Sequence, residues 1–110
     1  MKPGRELDVK IAEHVMGWRL LGDKWYAPDS SLGLSAPYHF SNDIVAAWTV
    51  VERVKGFKSA NGWGVMVGAT TAGQYICWLK SRDSEAAEIR TYGVSAPHAI
   101  CLAALKAVKL

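Results

Sequence analysis

Two segments in the middle of the chain, Trp63-Gly-Val-Met-Val67 and Tyr75-Ile-Cys-Trp-Leu79, are apolar at odd and even positions alike. A strand points successive side chains to opposite faces, so a sheet with one wet face alternates apolar and polar residues. These segments do not alternate, and the expectation is a sheet covered on both faces. Turn signals at Asn61-Gly62, Thr70-Thr-Ala-Gly73 and Arg82-Asp-Ser84 divide the region into three strands, Trp63 to Ala69, Gln74 to Lys80 and roughly Ala86 to Tyr92.

Helical patterns flank this sheet. The first should run from about Arg5 to Met16, capped by Gly4, stopped by Gly17 and apolar along Leu7, Ile11, Ala12, Val15 and Met16. In Arg19-Leu-Leu-Gly-Asp-Lys-Trp-Tyr26 a Gly-Asp pair between two short apolar runs signals a β-ribbon. Residues 27 to 39, rich in Pro, Ser and Gly, read as a surface loop carrying Tyr38 and His39. A second helix should begin at a Ser41 cap, with Phe40 stapled to Val45, and end near Lys55-Gly56. Its buried face is expected to be Ile44, Ala47, Trp48, Val51 and Val54. The last helix starts around Ser95-Ala-Pro97, where a first-turn proline sacrifices no hydrogen bond, and turns Ile100, Cys101, Ala104, Leu105 and Val108 inward.

The order is thus α-β-β-α-β-β-β-α, an α+β chain. Its 110 residues, half of them hydrophobic, suffice for one core and not two, so residues 1–110 form a single domain. From Asn42 onward the pattern looks like a double-stranded-RNA-binding domain, but such a domain leaves one sheet face in water. The simplest cover for a second face is helix one with the ribbon, which gives a three-layer α/β/α sandwich around an antiparallel sheet.

Three stretches carry a family resemblance: Gly4-Arg-Glu-Leu-Asp8 through Val15-Met-Gly-Trp18, Ser41-Asn-Asp-Ile-Val-Ala-Ala-Trp-Thr-Val-Val-Glu52, and Ala96-Pro-His-Ala-Ile-Cys-Leu-Ala-Ala-Leu105. They resemble the small phage and prophage proteins of the phage ABA-sandwich domain family, whose function is unassigned. Most matching positions are caps, helix faces and packing alanines. The resemblance therefore implies a fold and a phage origin rather than a site.

Chemistry-bearing residues are sparse and unpaired. Cys77 and Cys101 lack metal-ligand spacing and lie in apolar segments, which fits buried free thiols in a reducing compartment. His14, His39 and His98 share no ligand spacing. Asp8 projects into the apolar arc of helix one, where a first-turn carboxylate bonded to a loop N–H is the simplest reading, and no second carboxylate pairs with it. The glycines form no phosphate loop. No catalytic, metal or cofactor-binding residue is assigned, and the chain is read as a non-enzyme without cofactor.

The net charge is +3, from 13 basic and 10 acidic residues that are interleaved along the chain. Such a balance permits nucleic-acid contact without arguing for it. The start of the last helix lacks the lysines of a double-stranded-RNA grip, and Arg53, Lys55 and Lys58 suit the dipole of helix two. Apolar runs are short and interrupted, which excludes a membrane span, and the N-terminus has no apolar secretory region. The expected location is the host-cell cytoplasm.

Eleven aromatic residues, five of them Trp, remain. Trp48, Trp63 and Trp78 are assigned to the core by position. Trp25, Tyr26, Tyr38 and His39, in or beside the ribbon and loop, form the candidate protein interface, because aromatic side chains bury much area at low entropic cost. The expected function is binding of a host protein as a phage anti-defence factor, for example an anti-CRISPR type inhibitor. The alternatives are a homo-oligomer that sequesters a small nucleotide signal, and double-stranded nucleic-acid binding.

Overall fold

The computed structural model describes residues 1–56, 63–70, 72–81 and 88–108, without the side chain of Trp63. Three helices, α1 (Arg5–His14), α2 (Ile44–Lys55) and α3 (Ala96–Ala107), accompany a two-stranded ribbon and a three-stranded sheet. The ribbon pairs β1 (Arg19–Leu21) with β2 (Lys24–Tyr26); the sheet pairs β3 (Trp63–Ala69), β4 (Tyr75–Ser81) and β5 (Glu88–Gly93) in that order, all antiparallel. The α+β class and the element order are the expected ones. The expected turns at 61–62 and 82–84, the first residues of the third strand, Lys58 and the core role of Trp63 lie outside what is described.

One sheet face is the floor of the core. Cys77, Leu79, Ile89 and Thr91 are buried on it beneath α3, and the Thr91 hydroxyl donates to the Ala99 carbonyl at 2.7 Å. Alanines 99, 103, 104 and 107 let α3 lie close to the sheet and to α2. The approach is tightest at Gly93, where a Cβ would stand 2.7 Å from the Ala99 backbone nitrogen. Ser95 caps α3 through its hydroxyl, which accepts from the His98 N–H, and Pro97 sits in the first turn.

The opposite face corrects the expected cover. Helix α1 packs on α3, on the helical side, and Met66 and Tyr92 on the other face are 63% and 50% exposed. The parity argument fails for a physical reason. Residues aligned with Met66 on β3 are Gly64 and Gly68, which are apolar but have no side chain to bury. On β4, Trp78 is shielded by Arg90, whose guanidinium lies 4.6 Å over its ring. Strand β5 alternates cleanly, with Glu88, Arg90 and Tyr92 out and Ile89, Thr91 and Gly93 in.

Helix α1 ends two residues before the expected Met16. Val15 and Met16 both donate backbone N–H bonds to the Ile11 carbonyl, Trp18 reaches back to Ala12, and Gly17 takes φ +74°, so the terminus wraps around a left-handed glycine. Helix α2 starts two residues later than expected, because the Ser41 hydroxyl is committed elsewhere and Asp43 supplies the cap, accepting from the Val45 N–H at 2.9 Å. Phe40 is fully buried while Val45 is 73% exposed, so the expected staple does not form.

The buried face of α2 is Ala46, Ala47, Val50, Val51 and Val54, and Ile44 and Trp48 point outward instead of into the core. The first two turns of α2 are apolar except for Thr49, and only Glu52, Arg53 and Lys55 further along mark a polar side. Here the side that holds both alanines is the buried one, and small side chains allow a neighbouring helix a close approach.

Candidate interaction surface

The ribbon turns at Gly22-Asp23, with Gly22 at φ +65°. The following loop doubles back onto it: Leu34 and Trp25 exchange both backbone hydrogen bonds, at 2.7 and 2.9 Å, in an antiparallel bridge. Gly33 crosses directly over Tyr26, and a Cβ there would lie 2.9 Å from the tyrosine oxygen. The loop thus seals Trp25 beneath it. Leu20 and Leu21 on β1 and Leu32 in the loop remain largely in water.

Toward α2 the loop is held by rings and by one carboxylate. Trp18, Tyr38 and Phe40 meet edge to face, with centroids 5.1 to 6.1 Å apart. Asp8 of α1 accepts from both the backbone N–H and the hydroxyl of Ser41, and the Ser41 oxygen accepts in turn from the Gly4 N–H at 2.9 Å. His39 stands beside this network, its Nδ1 3.9 Å from the Asp8 carboxylate and its side chain 80% exposed. Between the loop and the first turns of α2 runs an open, mostly apolar cleft of about 540 Å³, lined by Pro37, Tyr38, His39, Asp43, Val45 and Thr49 among others.

Of the four residues singled out in the sequence, the structure brings two together. Tyr38 and His39 line the cleft, with Tyr38 54% exposed. Tyr26 is half-buried under the loop. Trp25 is corrected: it is 5% exposed and belongs to the core with Trp18, because the Leu34 bridge closes the loop over it. The outward residues Ile44, Val45 and Trp48 were not legible as surface, although the nearly all-apolar start of α2 carried the signal.

Among the described residues, the buried titratable groups Asp8, Cys77, Cys101 and His98 are hydrogen-bonded or inert. Burial pushes the Cys77 thiol up to about 12, and burial, then the charges of Asp8 and Cys77, push Cys101 up as well. Both stay protonated near neutral pH and are poor nucleophiles. His98 is 7% exposed, with Nδ1 accepting from the Val94 N–H at 3.0 Å, so its proton sits on Nε2, which donates to the Met1 carbonyl at 2.7 Å. The Arg53 Nε donates to the Val15 carbonyl, tying α2 to the end of α1. Among the described residues, no group of three or more His, Cys, Asp and Glu could hold a metal ion, and no helix is long and apolar enough to cross a membrane.

A three-stranded antiparallel sheet with helices stacked on one face, and a two-stranded ribbon whose Trp25 joins the same core, define a small α+β sandwich fold. The family model of the phage ABA sandwich domain matches residues 9–105, and the chain belongs to that family. Its fold is similar to that in the 2.0 Å crystal structure of a phage protein from Bacillus cereus ATCC 14579, with a TM-score of 0.73 and 27% sequence identity over 97% of this chain and 92% of that one. Among curated proteins, none matches.

Proposed function

We propose that this phage protein acts without catalysis, by binding a host protein through the ribbon and the 27–39 loop. The observation that carries the reading is the apolar side chains that the chain leaves in water there: Leu20, Leu21, Leu32 and Tyr38. A backbone bridge, a glycine crossing and a buried carboxylate network hold these segments in place, so ordering them costs little on binding. Burial of Tyr38 and three leucines supplies the apolar centre of an interface, and His39 and Asp43 supply a polar rim beside the cleft.

In this reading the buried thiols and His98 are structural, and inhibition of a host defence component is the role that suits a small phage protein of this kind. The test is binding of a host lysate component to the intact protein and to a Leu32→Asp, Tyr38→Ala double variant. Tyr38→Ala also removes ring contacts with Trp18 and Phe40, so loss of capture by a variant whose circular dichroism remains native supports the surface, and undiminished capture removes it.

A further inference from the structure

A helix that is hydrophobic around its circumference needs cover on every side. The first two turns of α2 read Ile44-Val-Ala-Ala-Trp-Thr-Val-Val51, with Thr49 as the one polar residue. The core covers only the side of Ala46, Ala47, Val50 and Val51. The other side leaves Ile44, Val45 and Trp48 at 49%, 73% and 51% exposure, around one shallow apolar depression bordered by Glu52. We infer that this outward face of α2 pairs with the same face of a second copy of the chain, the two α2 helices running antiparallel.

Charge selects both the occupant and the direction. The helix carries Asp43 at its N-terminal end and Lys55 at its C-terminal end, both exposed, with Glu52 3.6 Å from Lys55. Antiparallel pairing sets the Asp43 end of each helix against the Lys55 end of the other, twice per dimer, and opposes the two helix dipoles. It also brings each Glu52 toward the positive N-terminal end of the partner helix. A parallel pair would set acid against acid and base against base. A patch with an apolar centre and ends of opposite sign is its own complement, which is what a two-fold axis requires. The inference does not rest on the ribbon-and-loop reading: Val45 and Asp43 border both surfaces, but Ile44, Trp48 and Lys55, which carry the pairing, do not line the cleft, and the partner is different.

Sedimentation equilibrium of the purified chain tests it. The expected result is a reversible dimer whose dissociation constant rises at least about thirtyfold in Trp48→Glu, the effect of losing a central aromatic anchor. The circular dichroism of the variant should match the wild type, since Trp48 is outside the core. Lys55→Glu should also weaken the dimer, and adding Asp43→Asn, which keeps a capping side chain, should restore part of the loss. A chain that stays monomeric up to its solubility limit overturns the inference. So does a dimer indifferent to Trp48→Glu; disruption of that dimer by Tyr92→Glu would place the contact on the open sheet face instead.

Discussion

Asp8 accepts two hydrogen bonds from Ser41, one from its backbone N–H and one from its hydroxyl, each 2.7 Å long. The two residues are 33 positions apart and both are buried, so this contact fastens the end of the long loop to the first helix. Asp8→Ala would strand two buried donors, of which the hydroxyl has a second acceptor in the Gly4 carbonyl. The expected destabilisation is about 2–4 kcal/mol, and Ser41→Ala should cost about 1–2 kcal/mol. Urea denaturation of the two single variants and the double variant checks it: the double should cost clearly less than the sum.

Gly93 and the start of α3 leave no room for a side chain. In Gly93→Ala the new Cβ would fall 2.7 Å from the Ala99 nitrogen and 2.8 Å from His98 Nδ1. Helix α3 must shift off the sheet, and overpacking of this kind costs about 1–3 kcal/mol. A thermal melt should show the loss, whereas Gly68→Ala, with nothing within 4 Å, should be nearly neutral.

The tryptophans should separate by position. Trp18→Ala removes a ring that is 5% exposed and packed on Tyr38 and Phe40, with an expected loss of about 3–5 kcal/mol. Trp48→Ala, half exposed, should change the stability of the dilute chain by about 0.5 kcal/mol or less. Denaturation at low protein concentration distinguishes the two.

The thiols set an alkaline limit. Cys77 holds its proton to about 12 in the folded chain, against about 9 for an unburied thiol, so the unfolded chain ionises first. This contribution to stability is complete below about pH 9 and falls as pH rises toward 12. Native protein should leave both cysteines unmodified by a thiol reagent at pH 8 and yield two reactive thiols once denatured. Rapid reaction of the native protein at that pH would contradict their burial.

These tests fall where local chemistry and tertiary competition part company. The ribbon at Gly22-Asp23, the start of α3 around Ser95 with Pro97 in its first turn and the Gly17 stop were legible because each depends on one or two residues. The Asp8 bond to a loop N–H was legible as a type of contact, but its partner, Ser41, lies 33 residues away and carries no local mark. Once Ser41 is drawn to Asp8 it no longer caps α2, and the expected helix start moves to Asp43. The exact rotation of α2 was not legible, because Ile44 and Trp48 extend the shared line of Ala47, Val51 and Val54 as well as Ala46 and Val50 do. Tertiary packing decides between them, and it buries Ala46 and Val50. Trp25 shows the same limit: its place in a ribbon suggested surface, and a two-bond bridge from Leu34 buries it.

Binding of a host protein is tested most directly by affinity capture of the tagged chain from nuclease-treated lysate of its bacterial host, with mass spectrometry of the eluate. A host protein at stoichiometric amount, lost when Leu32→Asp and Tyr38→Ala are introduced together, is the predicted result. An eluate holding only the tagged chain would contradict the account, and the exposed leucines of the ribbon and loop would then have no host partner to cover them.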